Sequence, residues 1–147
     1  MKLAIGCDHG ALALKNKLVS HLKDKGYEVC DFGTHTPDSC DYPVYAAAAA
    51  KAVASGECEK GIVLCTTGIG VSIVANKVNG IRCALLSDLK SAEMTRLHNN
   101  TNMMAMGAGI LDEALALQIA DKWLETDFSG EARHQRRIDL LMALENE

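Results

Sequence analysis

Five short apolar runs divide this chain of 147 residues, and segments with a helical pattern lie between them. The central run, residues 62–65, has no alternation of polar and apolar positions. Such a run is typical of a strand that is buried on both faces of a parallel sheet. The predicted strands are residues 2–7, 27–32, 62–65, 82–86 and 102–107.

The segments between these runs predict helices. In the first of them, Leu14, Leu18 and Leu22 form one apolar stripe, and Gly26 closes the helix. The predicted helices are residues 11–25, 44–55, 71–77, 88–99, 112–126 and 133–145, with loops at 33–43 and 127–132. Because strands alternate with helices, we expect right-handed βαβ units. The fold class is therefore α/β, a Rossmann-like, doubly wound three-layer sandwich with about five parallel strands.

Length and charge narrow the class of protein. A chain of 147 residues is long enough for one domain with a full core, so we expect a single domain over residues 1–147. The net charge of −4 and the isoelectric point of about 5.7 argue against general binding to nucleic acid or to an anionic membrane. No apolar stretch approaches the roughly 20 residues of a membrane helix. We therefore expect a cytoplasmic protein.

The cysteines and histidines predict neither a disulfide framework nor a metal site. The six cysteines include no CxxC pair, which is typical of reduced, buried cysteine. The five histidines show neither HxH nor HxxxH spacing. We therefore expect no bound metal.

The turn after the central strand is the first candidate site. It consists of Thr66, Thr67, Gly68, Ile69 and Gly70. Ligands of doubly wound folds lie beyond the carboxyl ends of the strands, and a helix that starts there directs unpaired N–H groups at an anion. Cys65 stands at the same point, and a thiol at a helix N-terminus is a candidate base or nucleophile. The alternative is a tight turn that merely needs glycine, since the segment lacks both a complete dinucleotide fingerprint and a P-loop lysine.

Polar residues also occur at the end of one other predicted strand and at the end of one predicted helix. Asp8 and His9 follow the first strand and could form an acid/base or phosphate-binding pair, although Asp8 could equally cap the next helix. His98 and Asn99 end the predicted helix before the fifth strand. A histidine there could simply be favoured by the helix dipole.

An arginine cluster opens the last predicted helix. Arg133, Arg136 and Arg137 are spaced so that they share a face, and His134 lies among them. Cations are disfavoured at a helix N-terminus, so a bound phosphate would resolve the conflict. The alternative is a solvated face paired with Glu131 or Asp139. With the thiol, the histidines and the anion-binding turn, the cluster predicts proton transfer on a small phosphorylated substrate.

Five segments of the chain carry a family resemblance. They are GCDHG at residues 6–10, DYP at 41–43, CTTGIGVSIVANK at 65–77, RLHNNTN at 96–102 and RHQRR at 133–137. In this order and at this spacing, they resemble ribose-5-phosphate isomerase B and the related galactose-6-phosphate isomerase subunits. The resemblance covers essentially the whole chain.

The resemblance implies a reversible aldose–ketose isomerisation through a cis-enediolate, with no cofactor or metal. Cys65 would be the base that moves a proton between C1 and C2, and Thr67 would support that transfer. His98 would be the acid that opens the furanose ring. The N–H groups of residues 66–70 would stabilise the enediolate oxygen, and Asp8 would handle a ring or hydroxyl proton.

The resemblance also implies substrate contacts and an assembly. Tyr42 and Asn99 would line the sugar site, and His9, Arg133 and Arg137 would hold the phosphate of a small-molecule sugar phosphate. Sites in this family are built between two subunits. A homodimer or a dimer of dimers is therefore implied.

Two positions depart from the family pattern. Thr66 stands where members commonly carry glycine, and Gly109 stands where many carry a phosphate-contacting arginine. Our hypothesis is an isomerase of ribose 5-phosphate and ribulose 5-phosphate. The alternatives are the same chemistry on a hexose 6-phosphate of the allose or galactose type, and a non-catalytic phosphosugar-binding module.

Overall fold

A parallel sheet forms the centre of the computed structural model, which describes residues 1–147. Its strands are Lys2–Cys7 (β1), Glu28–Asp31 (β2), Lys60–Cys65 (β3), Cys83–Leu85 (β4) and Met103–Gly107 (β5). They pair in the order β2-β1-β3-β5-β4, and every pair is parallel. The α/β prediction with five parallel strands is therefore confirmed.

The chain has six α-helices, of which the first five cover the two faces of the sheet and the sixth packs against the fourth. They are Leu12–Asp24 (α1), Tyr42–Ala54 (α2), Ile69–Asn76 (α3), Leu89–Asn99 (α4), Glu113–Glu125 (α5) and Ala132–Ala143 (α6). Short 3₁₀ turns at His9–Ala11 and Leu144–Asn146 precede α1 and follow α6. None of these helices is both long enough and apolar enough to cross a membrane.

The two faces of the sheet are packed with different side chains. A cluster of 18 buried residues, which includes Trp123, lies between the sheet and α1, α4 and α5. On the other face, a cluster of 14 buried residues, rich in alanine, lies under α2 and α3. Small residues let α2 approach closely: a Cβ on Gly6 would lie 2.8 Å from the Tyr45 carbonyl oxygen, and one on Gly61 would lie 2.9 Å from Val53 Cγ2.

Several predicted boundaries were wrong by one or two residues. Helix α2 begins at Tyr42, before Pro43, because proline is accommodated in a helix's first turn, where its missing N–H costs no bond. Helix α3 begins at Ile69 rather than residue 71, since Gly68 adopts a left-handed conformation, which glycine permits, and turns the chain into the helix there. Strands β2 and β4 are shorter than predicted because they are the edge strands and pair on one side only.

Candidate active site

The thiol of Cys65 lies at the carboxyl end of β3, in the middle of the sheet. The residue is only 5% exposed, and its sulfur accepts a hydrogen bond from the Gly68 N–H at 3.1 Å. The Cys65 carbonyl accepts from Ala108 N at 2.9 Å, and the Thr66 carbonyl accepts from Gly109 N at 2.8 Å. These bonds fix the strand end and its turn against the end of β5.

Several N–H groups of this turn are left free. The Ile69 N–H donates to Thr67 Oγ1 at 3.2 Å, whereas the N–H groups of Thr66, Thr67 and Gly70 donate to no acceptor in the chain. The side chains of Thr66, Thr67 and Ile69 are exposed. Free N–H groups at a helix N-terminus beside an exposed polar surface are a ready site for an anion or an oxyanion.

The end of β1 brings Asp8 and His9 to the same edge. The Asp8 N–H donates to the Leu64 carbonyl at 3.2 Å, so Asp8 lies next to the end of β3. One Asp8 oxygen caps the 3₁₀ turn by accepting from Gly10 N at 3.0 Å, which leaves its other oxygen free. His9 Nδ1 accepts from the Cys40 N–H at 3.2 Å. The exposed imidazole therefore carries a proton on Nε2, available to an anion.

Tyr42 completes this part of the surface. It is the first residue of α2, and its ring lies against the start of α3, since a Cβ on Gly70 would lie 2.7 Å from the ring. We call this carboxyl-edge group the thiol half-site. It comprises Asp8, His9, Tyr42, Cys65 and residues 66–70.

His98 and Asn99 lie at the opposite edge of the sheet. Arg82, just before β4, donates from Nε to the Asn99 carbonyl at 3.0 Å, and Gly61 N donates to the Asn102 carbonyl at 3.0 Å. These bonds place the end of α4 at the amino ends of β3 and β4. Because each residue of a parallel strand rises about 3.3 Å, the length of β3 separates this edge from Cys65 by roughly 16 Å.

A histidine stack joins α4 to α6. The rings of His98 and His134 are nearly parallel, 18° apart, with centroids separated by 4.4 Å. His98 is exposed, whereas His134 is only 7% exposed and its Nε2 has no hydrogen-bond partner in the chain. Burial, followed by the neighbouring His98 and Arg133, lowers the pKa of His134. The neutral form of the buried ring is therefore favoured.

The arginines of α6 differ in their pairing. Arg133 forms an ion pair with Glu131 at 3.0 Å. The alternative of a solvated face paired with acidic residues predicted this contact. Arg137 is exposed and makes no ion pair, and Asp139 accepts from Gln135 Nε2 at 2.8 Å. We call this amino-edge group the arginine half-site. It comprises His98, Asn99, Arg133 and Arg137.

The structure thus gathers the predicted site residues into two groups rather than one. Exposed apolar side chains accompany both half-sites. Ile69 belongs to the thiol half-site and Ile73 of α3 lies beside it, while Leu140 of α6 lies beside the arginine half-site. The contact between Cys40 and His9 was not predicted, since no local signal links residues 31 positions apart. No group of three or more His, Cys, Asp or Glu side chains has a geometry that could hold a metal ion.

Comparisons with known proteins agree over nearly the whole chain. A family model described as Ribose/Galactose Isomerase matches residues 3–141. Ribose-5-phosphate isomerase B of Escherichia coli (strain K12) is 45% identical over 144 residues, which cover 98% of this chain and 96% of that protein.

Two solved structures are closely similar. The structure of Clostridium thermocellum ribose-5-phosphate isomerase B has a TM-score of 0.97 and 47% identity, covering 99% of this chain and 98% of that one. Ribose-5-phosphate isomerase B from Mycoplasma genitalium, with bound ribulose-5-phosphate, has a TM-score of 0.95 and 36% identity, covering 99% and 97%.

Proposed function

This chain belongs to the ribose/galactose isomerase family, and we propose that it interconverts ribose 5-phosphate and ribulose 5-phosphate through a cis-enediolate at a site shared by two copies of the chain. The observation that carries the proposal is the position of the Cys65 sulfur. It lies at the edge of the sheet beside free N–H groups of the turn that follows it. A base next to a preorganised oxyanion site is what proton transfer between C1 and C2 requires.

The thiol half-site would carry out the proton transfer. The Cys65 sulfur, as thiolate, removes the proton from C2 of the open aldose, the C1–C2 double bond forms, and the electron pair of the carbonyl moves to O1. Free N–H groups of Thr66, Thr67 and Gly70 would stabilise that oxygen. The proton returns to C1, and O2 becomes the carbonyl oxygen while its proton passes to O1. Thr67 and Asp8 would assist these hydroxyl proton transfers.

The arginine half-site of a second copy would complete the site. His98 would open the furanose ring and Asn99 would contact the sugar, while Arg133 and Arg137 would hold the phosphate together with His9 of the first copy. The separation of roughly 16 Å between the half-sites of one chain supports this arrangement. A twofold dimer would place each thiol half-site against the partner's arginine half-site, giving two equal sites. We propose a homodimer, or a dimer of such dimers.

The proposed setting follows from the same chemistry. A protein with a net charge of −4 and a local arginine cluster suits a small anionic substrate rather than nucleic acid. We place the enzyme in the cytoplasm, where the pentose phosphate pathway uses this reaction. The proposed mechanism needs only groups of the chain and no cofactor.

A second candidate is the same reaction on a six-carbon sugar phosphate, of the galactose or allose type. The family description names both ribose and galactose, and this observation supports the second candidate. A non-catalytic phosphosugar-binding module would use the same half-sites without turnover.

The test compares turnover of ribose 5-phosphate, allose 6-phosphate and galactose 6-phosphate by the wild type and by Cys65→Ala. We expect the highest kcat/KM on ribose 5-phosphate and a loss of about 10³-fold in kcat for the variant, because the base is removed. Cys7→Ala is the matched control: Cys7 also ends a strand, but burial raises its pKa to about 12, so turnover should persist. Preference for a hexose phosphate would change the substrate, and no turnover would favour the binding module.

A further inference from the structure

The side chain of Thr66 fills a slot between two loops of the thiol half-site. Its Oγ1 faces Gly10 so closely that a Cβ built on that glycine would overlap it. On the other side, a Cβ on Gly109 would lie 2.9 Å from Thr66 Cγ2. Thr66 is nevertheless exposed, so the side chain forms part of the surface that a ligand would meet.

The two glycines are not required by the backbone. The glycines with positive φ in this chain are Gly26, Gly33, Gly56, Gly68, Gly80 and Gly130. Gly10 and Gly109 are absent from that set, so no positive φ calls for glycine at either position. Their lack of a side chain instead leaves the space that Thr66 occupies. Thr66 and any side chain at these two positions therefore exclude each other.

The slot adjoins two groups that the proposed function assigns to opposite ends of the substrate, the Cys65 base and the phosphate ligand His9. Thr66 directly follows Cys65, and Gly10 directly follows His9. Asp8 Oδ1 lies 3.4 Å from the position of the Gly10 Cβ, so Thr66 Oγ1 and the Asp8 carboxylate border the same small volume. The sugar chain would cross this region on its way from the thiol to the phosphate ligands.

We propose that Thr66 is a specificity-determining residue that limits the length of the sugar chain and so favours a five-carbon over a six-carbon sugar phosphate. This inference rests on the proposed function. A hexose phosphate must place one more hydroxylated carbon between Cys65 and the phosphate, where the threonine side chain already occupies the floor. A difference of one carbon in a fitted pocket commonly changes kcat/KM by about 10- to 200-fold.

The first experiment measures kcat/KM for ribose 5-phosphate and allose 6-phosphate in the wild type, Thr66→Ala and Thr66→Val. We expect Thr66→Ala to shift the ratio toward allose 6-phosphate by about tenfold, because space is gained. Thr66→Val keeps the shape and loses the hydroxyl, so it should keep the wild-type ratio. A ratio that stays within about twofold of wild type in Thr66→Ala would overturn the proposal.

The second experiment tests the slot itself through Gly10→Ala. The new methyl group would displace the Thr66 side chain into the site, so we expect kcat/KM for ribose 5-phosphate to fall about tenfold. In the Thr66→Ala background, the nearest atom to the new methyl group is Asp8 Oδ1 at 3.4 Å, an ordinary contact, and the same change should cost less than about twofold. Equal losses of kcat/KM in both backgrounds would contradict the mutual exclusion of Thr66 and a side chain at position 10. Melting temperatures would distinguish misfolding from displacement of the Thr66 side chain.

The outcomes separate the two proposals. A wild type that turns over none of the sugar phosphates overturns the proposed function and this inference with it. A wild type that prefers allose 6-phosphate overturns the length limit but leaves the chemistry. A wild type that prefers ribose 5-phosphate, with an unchanged ratio in Thr66→Ala, leaves the proposed function standing and overturns only the role of Thr66.

Discussion

The two half-sites are built in contrasting ways. The thiol half-site sits on the ends of β1 and β3, two central strands, and Cys65 is held by backbone hydrogen bonds on both sides of its turn. The arginine half-site consists of exposed side chains, and α6, which carries its arginines, buries only His134 and Ile138. The thiol half-site is therefore built directly on the core strands, whereas the arginine half-site is carried by helices at the surface.

This difference matches what each half-site is proposed to do. Proton transfer requires a base and oxyanion donors that are held within tenths of an ångström, which a sheet edge provides. Holding a phosphate requires charge and reach, which a long arginine provides from a peripheral helix. Because each chain has one half-site of each kind at opposite edges of the sheet, association of two chains is what would join them.

The largest expected effect is on kcat, and it comes from variants that each disable one of the two half-sites. Cys65→Ala and His98→Asn should each lower kcat by about 10²- to 10⁴-fold, because a base and an acid are lost. Co-expressed chains that carry one change each should form mixed dimers with one intact site. If the sites are shared, statistical pairing gives about a quarter of wild-type activity.

The control for this experiment uses two changes in the same half-site. Chains with His98→Asn and chains with Arg137→Ala should form mixed dimers in which each site still carries one of the two changes. Their mixture should therefore show no gain over the average of the two variants. No recovery between Cys65→Ala and His98→Asn would place both half-sites of one site in a single chain. Recovery in the control would mean that His98 and Arg137 of one site come from different chains, which contradicts the arginine half-site.

A smaller effect is expected from the arginines themselves. Arg137→Ala should raise KM for ribose 5-phosphate about tenfold or more with little change in kcat, since a charge-assisted contact made in the ground state is lost. Arg136→Ala is the matched control, because Arg136 lines a shallow cleft with Gln135 and Asp139 on α6. It should leave KM nearly unchanged. Equal effects of the two variants would indicate a general electrostatic field rather than a phosphate contact.

The fold could be predicted almost completely from the sequence. Strands and helices alternate, and β3 is an unbroken apolar run, so a parallel sheet was the expected arrangement. Errors were confined to the ends of elements, as with Pro43 and Gly68, where residues that commonly break structure instead begin a helix. The edge strands were predicted too long because a sequence does not reveal which strands lack a second neighbour.

The candidate site was only partly predictable. Asp8 and Cys65 were expected at the same edge, because the carboxyl ends of neighbouring parallel strands meet there. The packing of Thr66 against Gly10 and Gly109 depends on how loops distant in sequence approach one another. No local pattern encodes such a distance, and the stack of His98 on His134 escapes sequence reasoning for the same reason.

The smallest expected effect is on the pH dependence of stability, and it concerns the His134 ring that packs α6 against α4. The His134 ring is stacked on His98 and buried, and the groups around it are His98 of α4 together with Glu131, Arg133 and Arg137. Burial is the main cause that lowers the pKa of His134, and His98 and the arginines act in the same direction. In the unfolded chain, a histidine titrates near its ordinary pKa of about 6.5.

Below about pH 6.5, the unfolded chain therefore binds a proton that folded His134 does not, so this residue makes the protein less stable as the pH falls, and it has no such effect at higher pH. His134→Phe keeps a flat ring against His98 and removes the titration. Urea unfolding at about pH 7.5 and about pH 5.5 should show that the wild type loses more free energy of unfolding on acidification than the variant does. An identical pH dependence in the two proteins would mean that α6 is attached without a buried neutral imidazole.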